Sequence, residues 1–197
     1  MKSQSVTIIK YNAGNVFSMS SALKRLGIEV IVSDDADVIL NSENIIFPGV
    51  GHASSAMNYL KDRHLDQVIR QVKVPFLGVC LGMQLLCSSS EEGDVDCLNI
   101  INTRVKKFVG DLKIPHTGWN NLVINKESPL FEGINNKDYF YFVHSYYAEQ
   151  SEYSIAECEY INLFSAVLHI NNFYGVQFHP EKSGLVGERL LYNFLNI

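Results

Sequence analysis

From its start, the chain alternates short β-rich apolar runs with apolar positions at helical spacing. Val6-Thr7-Ile8-Ile9 is the first run, and Val16, Met19, Leu23 and Leu26 then recur at intervals of three or four residues. Gly27 ends that helix, and Val30-Ile31-Val32 opens the next strand. Ile45-Ile46-Phe47 closed by Pro48-Gly49, a helical stretch from about Ala53 to Gln71, and the strand Val74 to Val79 continue the rhythm. Strands separated by helices pair in parallel, with the crossover helices covering both faces of the sheet.

The later half reads differently. β-rich segments near Asn99 to Phe108, Tyr139 to Val143, Tyr153 to Glu159, Phe164 to His169 and Phe173 to Phe178 lie close enough in sequence to pair as hairpins. A last helix starts after Ser183, its expected N-cap, and carries Val186, Leu190, Leu191, Phe194 and Leu195 back onto the core. The expected fold is α/β, with a mixed, mainly parallel central sheet flanked by helices.

Length and composition set bounds on this picture. With 197 residues, 47% hydrophobic and 19% charged, the chain can bury one sizeable core, so residues 1–197 are expected to form a single domain. A disordered tail and a collagen-like fibre are excluded. The formal charge of −5 leaves no cation excess for a nucleic-acid backbone or an anionic membrane. Neither an export signal nor an apolar membrane-spanning stretch is present, which makes the expected location cytoplasmic. Cys80, Cys87, Cys97 and Cys158 follow no disulfide-scaffold spacing and are expected to be reduced thiols.

Chemistry concentrates in two places. In Gly78-Val79-Cys80-Leu81-Gly82-Met83-Gln84, a buried-type strand gives way to a helical pattern within a Gly-x-Cys-x-Gly turn, the layout of a nucleophile elbow with sulfur in place of a hydroxyl. The glycines leave room for a strained central residue whose side chain points outward. At a helix N-terminus the thiolate is favoured, and the Leu81 N–H faces a developing oxyanion. On the cysteine alone a small buried hydrophobe is the better reading, and the two glycines bring the readings level.

The second place is Phe173-Tyr174-Gly175-Val176-Gln177-Phe178-His179-Pro180-Glu181, a strand expected to end on His179 because Pro180 cannot extend the ladder. Ligands of open α/β sheets bind at the carboxyl ends of strands, the edge that Cys80 also reaches. Cys80, His179 and Glu181 can therefore meet as nucleophile, base and orienter. Alone, a histidine before proline is more often a turn residue, so the two motifs carry weight only together.

Gly-Val-Cys-Leu-Gly-Met-Gln-Leu-Leu together with Gly-Val-Gln-Phe-His-Pro-Glu-Lys-Ser resembles the class I glutamine amidotransferases, which carry a Cys-His-Glu triad on a mainly parallel sheet. Pro48-Gly49-Val50-Gly51, Pro115-His116-Thr117-Gly118-Trp119-Asn120 and Tyr141-Phe142-Val143-His144-Ser145-Tyr146-Tyr147 resemble, within that class, the glutaminase subunits of imidazole glycerol phosphate synthases. The resemblance runs from about Tyr11 to the C-terminal helix. Two departures lie outside the triad. Lys10-Tyr11-Asn12-Ala13-Gly14-Asn15 stands where the family often has Asp-Tyr-Gly-x-Gly-Asn, and Ala53 stands where an aromatic is common.

The resemblance implies glutamine hydrolysis through a cysteine thioester, with the ammonia passed to a (β/α)8-barrel cyclase that completes a heterodimer. It implies an oxyanion hole shared between Leu81 and the Val50-Gly51 turn, in which a peptide plane between glycines can flip. It implies glutamine binding by Gly49, Gln84, Glu92, His144, Ser145 and Tyr146, and a partner interface at Trp119 and Asn120. On composition alone the single tryptophan is as readily a core residue.

No cofactor is implied, and His52, His64, His116 and His169 share no metal-ligand spacing. Arg104, Lys106 and Lys107 read as a solvated strand face, and Cys87, Cys97 and Cys158 as structural. The triad by itself does not name the ammonia acceptor, so a stand-alone hydrolase or the glutaminase of another synthase also fits it. An intact triad on a strained elbow argues against a silent docking subunit.

Overall fold

The computed structural model of the 197-residue chain describes residues 5–11 and 15–197. The Asn12-Ala13-Gly14 part of the departing stretch lies outside the described residues. The first half builds β1 (Ser5–Ile9), α1 (Val16–Arg25), β2 (Glu29–Ser33), α2 (Ala36–Leu40), β3 (Ile45–Phe47), α3 (Ala53–Asp62), α4 (Leu65–Gln71), β4 (Phe76–Val79) and α5 (Leu81–Leu86). Then follow β5 (Ser89–Ser90), β6 (Val95–Asp96), β7 (Arg104–Lys107), β8 (His116–Asn121), β9 (Val123–Ile124), β10 (Tyr139–His144) and β11 (Tyr146–Ala148). The chain closes with β12 (Ser154–Glu159), β13 (Leu163–Ile170), β14 (Phe173–Val176) and α6 (Gly184–Leu195).

The main sheet runs β2-β1-β3-β4-β14-β13-β11-β7-β5-β6. From β2 to β14 every pairing is parallel, while β13 and β11 pair antiparallel with their neighbours. The parallel half is apolar along its strands: β3, β4 and β14 are buried at every position, as expected where helices cover both faces. Two apolar clusters result, one holding Met19, Leu23 and Leu191, the other Met57, Ile69 and Leu85.

Three expectations are corrected. The helix from Ala53 to Gln71 is two helices, because His64 adopts a left-handed φ of 57° after Arg63 ends α3. Only Arg104–Lys107 of the segment from Asn99 to Phe108 is strand. Leu98, Asn99 and Ile100 instead donate their amides to the carbonyls of Leu85, Cys87 and Leu86, closing the C-terminal end of α5. Ser183 precedes α6 but does not cap it: its hydroxyl donates to the His179 carbonyl at 2.7 Å and accepts from the Tyr141 amide at 3.0 Å.

β8 and β10 form a separate two-stranded antiparallel ribbon that pairs Tyr141 with Trp119 and His144 with His116. The His-Thr-Gly-Trp-Asn-Asn of β8 carries little β-propensity and no apolar alternation, so only its partner strand was legible.

Candidate active site

β4 ends at Val79 and α5 begins at Leu81, so Cys80 alone makes the turn. Its φ of 54° and ψ of −109° are a conformation that costs an L residue about 1–3 kcal/mol. The flanking glycines are required by crowding: a Cβ on Gly82 would sit 1.8 Å from the Phe47 carbonyl oxygen, and one on Gly78 would sit 2.8 Å from the Gly82 oxygen. The Cys80 amide donates to the Val176 carbonyl at 2.8 Å, so β4 and β14 stay joined up to the elbow. The sulfur contacts the Val143 carbonyl at 4.0 Å and accepts from Gln177 Nε2 at 3.7 Å.

β14 ends at Val176, three residues before the expected His179. The Gln177 amide still pairs with Ala166, but the His179 amide donates to the Tyr141 carbonyl at 2.9 Å, and this draws the chain out of the sheet toward β10. His179 is fully buried, and its Nδ1 lies 2.8 Å from Glu181 Oε1. Asn15, left-handed at φ 84°, donates from Nδ2 to the same carboxylate oxygen and lies 3.4 Å from His179 Nδ1. Burial disfavours charge on this imidazole, yet the adjoining Cys80 and Glu181 outweigh it and push the His179 pKa up to about 10. Nε2 has no hydrogen-bond partner among the described residues and remains available for chemistry.

Cys80 opens into a cavity of about 290 Å³, sized for an amino acid and walled in part by Val50, Gly51, Leu81, Gln84 and Glu92. His144, Ser145 and Tyr146 complete the far wall with Val143 and Pro115. Among the described residues, no lysine or arginine belongs to this lining. Glu92 is held by its Oε2, which accepts the Ala53 amide at 2.8 Å at the start of α3. Gln84 donates from Nε2 to the Tyr146 carbonyl and to Gln177 Oε1, both at 2.9 Å, so its own carbonyl oxygen is the end left for a ligand.

His144 lines the cavity, but both its ring nitrogens are engaged within the protein. Nδ1 donates to the Tyr146 carbonyl at 2.7 Å, which makes Nε2 the acceptor of His116 Nδ1–H at 3.0 Å. Burial holds both rings neutral, at about 3 for His144 and about 4 for His116, which is stacked between Phe142 and Tyr160. Asn120 donates to the Glu159 carbonyl at 2.9 Å and lies 3.5 Å from His116 Nε2. Trp119 is 56% exposed beside Tyr141, which removes the core reading of the lone tryptophan.

The expected oxyanion hole is closed in this conformation. The Leu81 N–H, the first expected donor, is taken by the Gly49 carbonyl at 3.4 Å, while Gly51 sits at φ 124°. Burial pushes the thiols of Cys97 and Cys158 up to about 12, and that of Cys87 higher still, so all three are inert packing groups. Asn15, Gln177 and Ser183 were missed in the sequence. Asn15 ends the Asp-Tyr-Gly-x-Gly-Asn-like stretch and Gln177 lies two residues before His-Pro-Glu, but neither residue type announces a tether. Among the described residues no group of three or more His, Cys, Asp or Glu side chains is arranged to hold a metal ion.

A strained cysteine that opens into a cavity is thus coupled to a buried histidine and its carboxylate at the carboxyl edge of a mainly parallel sheet. The family model for class I glutamine amidotransferases matches residues 7–197. A solved glutamine amidotransferase superposes with a TM-score of 0.76 at 18% identity, covering 96% of this chain and 97% of that one. The chain belongs to the class I glutamine amidotransferases.

Its relatives narrow this further. The imidazole glycerol phosphate synthase subunit HisH of Bacteroides thetaiotaomicron is 50% identical over 98% of this chain and 99% of its own length. The corresponding subunit HisH 1 of Vibrio vulnificus is 45% identical over the full length of both. Within the class, the chain belongs with these HisH subunits.

Proposed function

We propose that this chain is the glutaminase subunit of imidazole glycerol phosphate synthase in histidine biosynthesis, working in the cytoplasm through Cys80, His179 and Glu181. The observation that carries the reading is an elbow cysteine that opens into an amino-acid-sized cavity and is coupled to the buried His179–Glu181 pair behind it.

The Cys80 thiolate attacks the side-chain amide carbon of glutamine, and the imidazolium of His179 protonates the departing nitrogen, releasing ammonia and leaving a γ-glutamyl thioester. His179 then takes a proton from water as the water attacks, and glutamate leaves with the thiolate restored. Glu181 fixes the Nδ1–H tautomer and stabilises the imidazolium, with Asn15 holding the carboxylate. A pKa near 10 supports a histidine that enters the first step protonated.

Glu92 is the counter-charge for the substrate ammonium, and the Gln84 carbonyl can accept a second ammonium proton. With no lysine or arginine among the described lining residues, the substrate carboxylate falls to the N–H and O–H groups of the Ser145-Tyr146 segment and of Val50-Gly51, next to Gly49. Catalysis requires that turn to move. The Gly49 carbonyl must leave the Leu81 N–H, and rotation of the Gly49–Val50 peptide then brings a second donor, the Val50 N–H, toward the oxyanion.

Free ammonia is largely protonated in neutral water, so its nitrogen must travel sheltered to an acceptor site. The acceptor is a (β/α)8-barrel cyclase that docks where Trp119 stands exposed beside Asn120 and forms imidazole glycerol phosphate and an aminoimidazole carboxamide ribotide. Cys80→Ala should reduce glutamate release in the complex to background. Turnover at the parental rate would overturn the assignment.

A further inference from the structure

Tyr11 lies just beyond β1, with its ring packed on Phe47 at 4.9 Å between centroids, immediately before the Pro48-Gly49 turn. The residue is 4% exposed, and its hydroxyl makes no hydrogen bond among the described residues. A buried hydroxyl without a partner weakens the fold, and its presence calls for a second state that satisfies it. Burial, with the nearby Cys80 charge adding to it, holds the phenol protonated far above its ordinary range, so it serves as a donor.

The hydroxyl is pressed against Gly49. A Cβ on Gly49 would lie 2.1 Å from Tyr11 Oη, 2.8 Å from Leu81 Cβ and 3.0 Å from the Gly82 nitrogen, so only glycine fits under the tyrosine. The Gly49 carbonyl is the group that occupies the Leu81 N–H, over a long 3.4 Å. Turning about the Gly49 Cα–C bond sweeps that carbonyl past the alpha-carbon face that the hydroxyl covers. Two groups with complementary needs therefore meet at one hinge: a carbonyl that must lose its donor during catalysis, and a donor with no acceptor.

We propose that Tyr11 is a positioning residue for glutamine hydrolysis, its O–H receiving the Gly49 carbonyl when the Gly49–Val50 peptide turns and frees the Leu81 N–H for the oxyanion. This rests on the two-donor oxyanion hole of the function proposed above. In the resting turn the carbonyl is bonded to Leu81 and the hydroxyl is unpaired. In the turned state carbonyl, hydroxyl and oxyanion donors are all satisfied. The exchange lowers the cost of the turn without touching a reacting atom, so it acts on turnover rather than on glutamine binding.

Tyr11→Phe keeps the ring and deletes the donor. In the complex with the cyclase subunit and its ribotide ligand, kcat for glutamate release should fall about tenfold, with KM for glutamine within about twofold of the parent. Alkylation of Cys80 by iodoacetamide, which needs no oxyanion hole, should keep its rate. The isolated variant should melt at or above the parental temperature, because an unsatisfied group has gone. A parental kcat overturns the proposal, and so does a lowered melting temperature or a variant that fails to fold, since either shows the hydroxyl already bonded at rest. Gly51→Pro separates the two levels. If it depresses the activated rate while Tyr11→Phe does not, only the role of Tyr11 fails; if Gly51→Pro and Tyr11→Phe are both fully active, the mobile turn fails with it.

Discussion

Two buried histidine sites differ in charge: His179 is cationic, whereas the His116–His144 pair is neutral. His179 is raised to about 10, whereas His144 and His116 are lowered to about 3 and about 4, although all three rings are nearly inaccessible. Burial alone favours the neutral imidazole, and the β8–β10 pair is met by carbonyls, aromatic rings, the Asn120 amide and each other, with no carboxylate among its described hydrogen-bond partners. His179 has a carboxylate at 2.8 Å and a sulfur close enough to couple with it. The site thus confines its positive charge to one ring and surrounds that ring with a neutral scaffold. A charged His144 would repel the imidazolium of the proposed reaction, and the histidines act on each other in that sense.

Breaking the charged site should have the largest effect. Glu181→Gln keeps the shape of the side chain but removes the charge, so kcat should fall by about 10³-fold and the His179 pKa should drop from near 10, checked by steady-state kinetics and by NMR titration of the ring.

The neutral pair is sharpened by pH. Its folded pKa values lie below the unfolded value of about 6.5, so the unfolded chain binds more protons once pH falls below that value. Stability contributed by the pair is complete above about pH 6.5 and is lost as pH falls toward 4, with a slope of up to about 2.7 kcal/mol per pH unit for two protons. Urea unfolding between pH 7 and 5 measures this, and His116→Phe/His144→Phe should flatten the curve. The raised His179 has the opposite sign: its contribution is present below about pH 6.5 and is lost as pH rises toward 10.

Smaller again is His116→Phe alone. The stack with Phe142 and Tyr160 survives, but His144 Nε2 loses its donor, for a destabilisation of about 1–2 kcal/mol read from the same urea curves.

The charged site was legible in the sequence because its parts are local and chemically loud. Gly-x-Cys-x-Gly and His-Pro-Glu each compress a nucleophile or its base into a few residues, and the alternating apolar runs placed both at one sheet edge. The neutral scaffold was not legible. His116 and His144 stand 28 residues apart, and their bond follows from the register of a ribbon whose β8 strand lacks strand-like residues. Asn15 reaches Glu181 across 166 residues, and Ser183 looked like a helix cap although it ties His179 to β10. The helix break at His64 depends on one backbone angle that neither its residue type nor the helical spacing signals. For Gln84 and Glu92 the residue types carried no signal of their own, and it was the family resemblance that picked them out.

If this chain makes ammonia for a second subunit and its proposed oxyanion turn rests closed, glutamate release should depend on the partner. Release from glutamine is measured for the chain alone and for its complex with the proposed cyclase partner, with and without the ribotide ligand. Little turnover is expected from the chain alone, with a rise of at least about 10²-fold in the liganded complex, the range set by gaining an oxyanion donor. Full turnover by the isolated chain, unchanged by the liganded cyclase, would contradict it.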